Sequence, residues 1–339
     1  MADLGGLYLH MIDIYMTIMD KPARHAPGPH RIGILPIPGF ALMSHAATVE
    51  PLRAANLLAG RVLYEVIHIA PTPDPVCSSG AAQVRPEAGL ADDLHLDHLF
   101  LVAGGDPATY PSRALTPWLS RQARTGVVLG GVSGGPIILA RAGLMGDRRM
   151  TVHWEYAAAL AEVAPDLRID RTLYVIDRDR MTCAGGTAPM DMMHALIAMH
   201  HGRAFAREVS DWFMHTEIRP PTGPQRSGLV ERVGTQSAAI LDAVEAMESN
   251  IADPLSLPHL AQIARLSPRQ LNRLFRQHLG QTTHAYYRRL RLDKARNLLR
   301  NSALSLTEVA LATGFASSSH FSRAYRAEYG HPPSRYRTA

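Results

Sequence analysis

Ser133 is the residue of this 339-residue chain whose setting first raises a question of chemistry. In GGVSGGPIILA it stands between an apolar run and a helix-forming run, with Gly131, Gly134 and Gly135 around it. Small neighbours permit a sharp strand-to-helix elbow, and an elbow presents its central side chain beside helix N–H donors. A nucleophilic serine is one reading of that pattern. A glycine-rich turn whose serine merely caps the helix is the other. A hydroxyl attacks only when an adjacent base takes its proton, and no Ser-His-Asp order is evident, so no residue is expected to be catalytic. His194, His200 and His201 share one stretch and could suggest a metal. No Cys or carboxylate completes a set at ligand spacing, so solvated or core histidines are expected, with no metal and no cofactor. Cys183 ends an apolar run and reads as a buried small residue. With Cys77 as its only companion, a disulfide framework is excluded and a reducing compartment fits.

A second set of residues is suited to reading DNA. LPHLAQIARLSPRQLNRLFRQHLG (257–280) and SLTEVALATGFASSSHFSRAYRAEYG (305–330) each spell a short helix, a tight turn and a second helix. Ser267 followed by Pro268, and Ser317, are start signals; Gly280 and Gly330 are stop signals. Leu271, Leu274 and Phe275 fall at i, i+3, i+4, as do Phe321, Ala324 and Tyr325, and should face a core. The other faces carry Arg269, Gln270, Asn272, Arg273 and Arg276 in one copy, and Ser318, Ser319, His320, Ser322, Arg323 and Arg326 in the other. Arg suits bidentate contact with guanine, and Asn with adenine. A solvated basic face would explain either copy alone. Two copies, with a long basic helix around 287–300 between them, point to DNA.

Charge agrees. The net +5 divides unevenly: residues 251–339 hold fourteen Lys/Arg against four Asp/Glu, and the remainder holds 21 against 26. A basic module on a mildly acidic body implies nucleic acid as the partner of the tail. No stretch of eighteen uncharged apolar residues exists, so no membrane span is expected.

Other elements must position Ser133. RIGILPIPGF (31–40) reads as a buried strand and its loop, LYEVIHIA (63–70) as a second strand, HLFLVAGG (98–105) and GVVLGGV (126–132) as two more apolar runs ending in glycines, and RTLYVIDRDRMTCAGG adds a final pair of strands. ALMSHAATVEPLRAANLLAG, SGGPIILARAGLM and TAPMDMMHALIAMHHG read as the helices between and after them. Such alternation implies an α/β layered domain with a mostly parallel sheet, whose ligands sit at the carboxyl ends of the strands. Met190, Met192, Met193 and Met199 are expected in helical core or a dimer contact. The expected division is 1–30 as a poorly ordered extension, 31–217 as a sensing domain, 218–228 (IRPPTGPQRSG) as a linker, and 229–339 as an all-α DNA-binding domain.

Residues 257–337 resemble the AraC/XylS class of transcription regulators, carried by SLTEVALATGFASSSHFSRAYRAEYGHPPSRYR. The resemblance implies that both second helices enter successive major-groove segments. It makes Arg269, Asn272 and Arg273, then Ser318, Ser319, His320 and Arg323, candidates for base contact. Residues 31–219 resemble the PfpI-like branch of the class I glutamine amidotransferase superfamily, and more narrowly the flavodoxin-like sensor domain of the GlxA group of regulators. The carrying motifs are PGFALMSHAATVEPLRAANLL, LVAGGDP, GGVSGGPIILARAGLM, TVHWEY and FAREVSDWF. In the enzymes of that superfamily the elbow residue is cysteine, assisted by a histidine and an acid. Here the matching positions are Ser133, His153 and Glu50, and the change at the elbow speaks against catalysis.

The resemblance implies a cytoplasmic transcription activator answering to a small nitrogen-containing metabolite, such as an amino acid or a quaternary amine. The alternative is a PfpI-like amidase fused to a DNA-binding domain. Expected pocket residues are Glu50, Gly105, Asp106, Ser133, Gly134, His153, Trp154, Gly186 and Thr187. Trp154 would offer a cation–π face to an ammonium group, with Glu50 or Glu155 as counter-charge. The implied partners are promoter DNA, RNA polymerase, the effector and a second copy of the chain.

Overall fold

A computed structural model describes residues 28–110, 113–226, 228–302 and 304–337. Nearly all of the extension expected over 1–30 lies outside them. In chain order the elements begin with β1 (His30–Pro36), α1 (Leu42–Ala59), β2 (Tyr64–His68), β3 (Val76–Cys77), β4 (Gln83–Val84), β5 (His98–Ala103), α2 (Leu115–Arg124) and β6 (Val128–Ser133). Then come α3 (Gly135–Arg141), β7 (Arg149–Met150), α4 (Trp154–Val163), β8 (Arg168–Ile169), β9 (Tyr174–Asp177), β10 (Arg180–Cys183), α5 (Ala188–His201) and α6 (Arg203–Trp212). The remainder is helical: α7 (Leu229–Val233), α8 (Ala238–Ser249), α9 (Leu257–Ile263), α10 (Pro268–Leu279), α11 (Thr283–Asn301), α12 (Leu306–Ala312) and α13 (Ser318–Tyr329).

Packing divides this chain into two units. The first holds, of the described residues, 28–107, 113–153 and Leu167–Gly223. The second holds Ala108–Tyr110, Trp154–Asp166 and Pro224–Ala339. Helix α4, which falls inside the stretch expected as one sensing domain, therefore belongs to the second unit.

The first unit is the expected α/β layer structure. Its sheet has the order β2-β1-β5-β6-β10-β9, parallel throughout except for the β10–β9 pair. β5, near the middle, is buried along its whole length, which is why HLFLVA carries no alternation of polar and apolar residues. Met192 and Met193 are fully buried in the cluster that joins α5 to Ile34, Phe100 and Val132, and Met199 packs against it. Cys183 is buried in the same cluster, and burial pushes its thiol up to about 12, far from redox reactivity.

The proline-rich stretch 218–228 is fastened at its start. Asp191, fully buried in the first turn of α5, accepts from the Arg219 backbone N–H (2.9 Å), from its Nε (3.0 Å) and Nη2 (2.7 Å), and pairs with His215 Nε2 (2.9 Å). The backbone N–H of Leu173 donates to the carbonyl of Pro221 (2.9 Å). Composition identifies such a segment as irregular. It does not distinguish a tethered strap from a free linker.

Candidate functional site

Several residues expected to line a crevice lie along the carboxyl edge of the sheet. Ser133 ends β6 with φ of 59°, left-handed for a non-glycine residue, and is 5% exposed. That conformation costs about 1–2 kcal/mol, so the elbow inferred from the glycines is real and strained. The backbone N–H of Gly134 is held by the carbonyl of Ala103 (3.1 Å), and that of His153 by the carbonyl of Ser133 (3.3 Å). Gly185, after β10, faces the elbow directly: a Cβ there would lie 2.6 Å from Ser133 Cβ and 2.9 Å from Ser44 Oγ, so only glycine fits. Ser44 Oγ accepts from the backbone N–H of Gly186 (2.8 Å). Gly104, at the end of β5, packs against the backbone of Gly39 and Ala41, which closes the edge beside β1.

The structure thus brings together Ser133, Gly134, Gly186 and the backbone of His153, with Gly105 and Asp106 following the end of β5. Ser44 was missed by the sequence reading. A lone serine inside an apolar helix carries no signal until the register of α1 is known. Three expected pocket residues are engaged otherwise. Glu50 pairs with Arg53 (2.6 Å) on a surface turn of α1. Thr187 Oγ1 accepts from Arg219 Nη2 (2.9 Å). The cation over the Trp154 ring is Arg226, 4.4 Å from its centroid, and Glu155 pairs with Arg300 (3.3 Å), so both serve packing in the second unit.

Beside Ser44, His45 is buried, with its Nε2 3.0 Å from Nε2 of His68. Burial, with His68 adding to it, lowers its pKa to about 4, so at neutral pH it is an uncharged hydrogen-bonding group.

In the second unit, α9–α10 and α12–α13 are the two helix-turn-helix copies. Ser267 and Gln270 form a reciprocal capping box on α10, and Ser317 Oγ accepts from the backbone N–H of His320 on α13. Leu271 and Phe275, and Phe321 and Tyr325, are buried as their spacing demands. On the other faces Arg269, Gln270, Arg273, Arg276, Ser319, His320, Arg323 and Arg326 are exposed, while Asn272, Ser318 and Ser322 are half-buried. Two candidates are partly committed to structure. Gln270 Oε1 accepts from the Ser267 backbone (2.9 Å), and Asn272 Oδ1 from the Thr283 backbone at the start of α11 (3.0 Å). The His320 ring meets Phe315 edge-on at 5.6 Å.

The long helix α11 holds both copies. Tyr287 Oη bonds the carbonyl of Asn250 and accepts from the backbone N–H of Leu255 (3.3 Å). One turn later Arg291 lies 4.3 Å over the Phe315 ring, and its Nε donates to the carbonyl of Thr313 (2.8 Å). Among the described residues no helix is long and apolar enough to cross a membrane.

Comparison with known proteins also finds two parts, divided by sequence and with α4 inside the first. Residues 34–199 match the DJ-1/PfpI family, and residues 260–339 match a helix-turn-helix domain family. The chain is 44% identical to the HTH-type transcriptional regulator GlxA of Rhizobium meliloti, over 89% of this chain and 94% of that one. It is 41% identical to the HTH-type transcriptional regulator CdhR of Pseudomonas aeruginosa, over 89% of each. Among solved structures, an AraC family transcriptional regulator from Pseudomonas putida matches 55% of this chain and all of its own, at 29% identity and a TM-score of 0.50. With its elbow, its doubled DNA-reading motif and identity of this extent, the chain belongs to the GlxA-like family of AraC-type transcriptional regulators, which join a DJ-1/PfpI domain to a helix-turn-helix domain.

Proposed function

We propose that this protein is a cytoplasmic, sequence-specific transcription activator that answers to a small nitrogen-containing metabolite, an amino acid or a quaternary amine. The observation that carries the DNA half is the pair of capped helices, α10 and α13, each with its apolar stripe buried and its Arg-bearing face exposed. Arg269, Arg273, Arg276, Arg323 and Arg326, with His320 and the serines of α13, are the contacts in successive major grooves. The metabolite occupies the crevice around Ser133, Gly134, Gly105 and Gly186. Its glycine-lined walls suit a small polar ligand better than a large apolar one. The protein acts as a homodimer and engages RNA polymerase at the promoter.

Selection of binding sites from random duplex DNA by the full chain tests the first half. One enriched motif spanning two major-groove segments is expected, with affinity falling steeply in salt; recovery of no motif sinks the reading. A thermal-shift screen of amino acids and methylated amines tests the second half, since a ligand of the folded state raises apparent stability.

The enzymatic alternative rests on the same elbow and is separable from the sensor. If Ser133 only shapes the crevice, Ser133→Ala removes at most one neutral hydrogen bond. That is about 0.5–1.5 kcal/mol, or up to about tenfold in effector affinity. Ammonia or alcohol released from glutamine, simple amides or activated esters, and lost in Ser133→Ala, would make the protein a hydrolase.

A further inference from the structure

We propose that the first unit carries a site for one divalent transition-metal ion of the zinc, nickel or copper class, held by the imidazoles of His30, His200 and His201. Each offers one ring nitrogen, and these three atoms lie within 4.8 Å of one another. Parallel strands build the site. β1, β2 and β5 start at one edge of the sheet, in the register His30 beside Tyr64 and Ile32 beside His98. Helix α5 ends there and delivers His200 and His201 from its last turn. Ser133 stands at the opposite, carboxyl edge, so this site is separate from the metabolite crevice.

Ligation requires one rearrangement, the opening of a stacked ring pair. His30 and His200 stack with centroids 3.8 Å apart, and His201 stands edge-on to both at 6.0 Å. Tetrahedral coordination with metal–nitrogen bonds near 2.0–2.1 Å puts ligand atoms about 3.4 Å and ring centroids about 5 Å apart, so the stacked pair swings open to bring its in-plane nitrogens onto one ion. Tyr64 Oη lies 3.1 Å from Nδ1 of His200, which leaves Nε2 of that ring as the metal-facing atom. A hydrogen bond to the far nitrogen is the usual support of a ligating histidine. Behind them His98 is 8% exposed, its ring is 5.6 Å from that of His200, and its Nδ1 meets no hydrogen-bond partner among the described residues. A buried ring nitrogen left so is costly, and a metal with its coordinated water would supply the missing partner.

The donor chemistry selects the ion. Three neutral imidazoles suit zinc, copper and nickel, whereas magnesium and calcium want carboxylate and carbonyl oxygens. The histidines line a cavity of about 770 Å³, with room for a fourth ligand, and Arg61 in its wall favours water or a small anion there. His194 takes no part: its Nδ1 is 2.9 Å from Ser210 Oγ.

The test uses untagged, full-length protein freed of metal with a chelator, then titrated with zinc by calorimetry and with cobalt by visible absorption. One equivalent should bind at micromolar affinity or tighter, with the intense cobalt bands of a four- or five-coordinate nitrogen site. His30→Asn and His201→Asn should each weaken binding at least about tenfold, and Tyr64→Phe by about tenfold through the lost support. His194→Asn should leave binding unchanged. No tight equivalent in the wild type, or equal binding by folded His30→Asn and His201→Asn variants, overturns the proposal. If either histidine variant fails to fold, the wild-type cobalt spectrum decides: weak, octahedral bands overturn it.

Discussion

The two helix-turn-helix copies solve one problem with different parts. Each must bury the apolar stripe of a recognition helix that is too short to be stable alone. The first copy does so with its neighbours in the chain: Leu271 and Phe275 pack with Ile240, Val244 and Met247 of α8, just upstream, and with Tyr287 of α11, just downstream. The second copy draws on the long helix α11 and on Ala159 of α4, far away in sequence. Asn297 Nδ2 donates to the carbonyl of Glu155 (2.6 Å) to hold that helix in place. The turns differ in the same sense. Arg265 adopts φ of 55° in the first turn and Gly314 adopts 70° in the second, with equivalent bonds closing them: Leu266 N–H to Ala261 and Phe315 N–H to Ala310. The first turn has room for an arginine. The second is pressed against Ile251 and Pro254 and clamped by Arg291. A repeated motif therefore does not imply repeated tolerance.

The sharpest way to break the comparison is at those turns. Gly314→Ala adds a Cβ 2.6 Å from Pro254 Cγ and 2.7 Å from the carbonyl oxygen of Ile251, at a φ that already disfavours it. A loss of about 3 kcal/mol is expected, from the left-handed conformation and overpacking together. Arg265→Ala should change stability by less than about 1 kcal/mol. Hydrogen exchange of the α12 and α9 amides reads the two separately, and equal losses would erase the distinction.

Arg291→Met keeps the apolar contact with Phe315 but removes the donor to the Thr313 carbonyl. About 1.5–3 kcal/mol should be lost in the second copy, where hydrogen bonds from charged groups count most. Loosening of α9 and α10 instead would show that the clamp belongs to the whole domain.

On DNA, Arg273→Ala should cost about 1–3 kcal/mol of specific binding and relax one base position. Arg323→Ala should do the same in the other half-site. A gel-shift titration in which neither change alters sequence preference would take both off the reading surface.

The smallest effect is at the caps. Ser267→Ala breaks a reciprocal box and should cost about 1 kcal/mol, while Ser317→Ala, which removes one accepted bond, should cost less. Circular dichroism melts of the two variants give the order.

Local chemistry was legible in the sequence. Caps, apolar stripes, strands and the glycine-flanked elbow each follow from residues a few places apart, and each stands in the structure. What depended on distant pairing was not legible. Nothing in TVHWEYAAALAEV announces that this helix serves the second unit, and Trp154 looked available to a ligand because Arg226 lies seventy-two residues on. In the sequence His200 and His201 lack a companion, because His30 stands in what reads as a loose extension. Only the start of β1 places it beside them.

The membership of α4 in the second unit also has a consequence in time. Glu155 leaves the ribosome 142 residues before Asn297, the residue whose side chain fastens it. At about 5–20 residues per second, that is a wait on the order of ten seconds. The first unit's sheet can close meanwhile, since β9, β10 and α5 follow α4 within forty residues. The helix must spend the interval with Ala159, buried in the finished second unit, facing water or a chaperone. A fragment begun at residue 229 never receives it, and leaves the core around Leu292 and Leu299 open on one side.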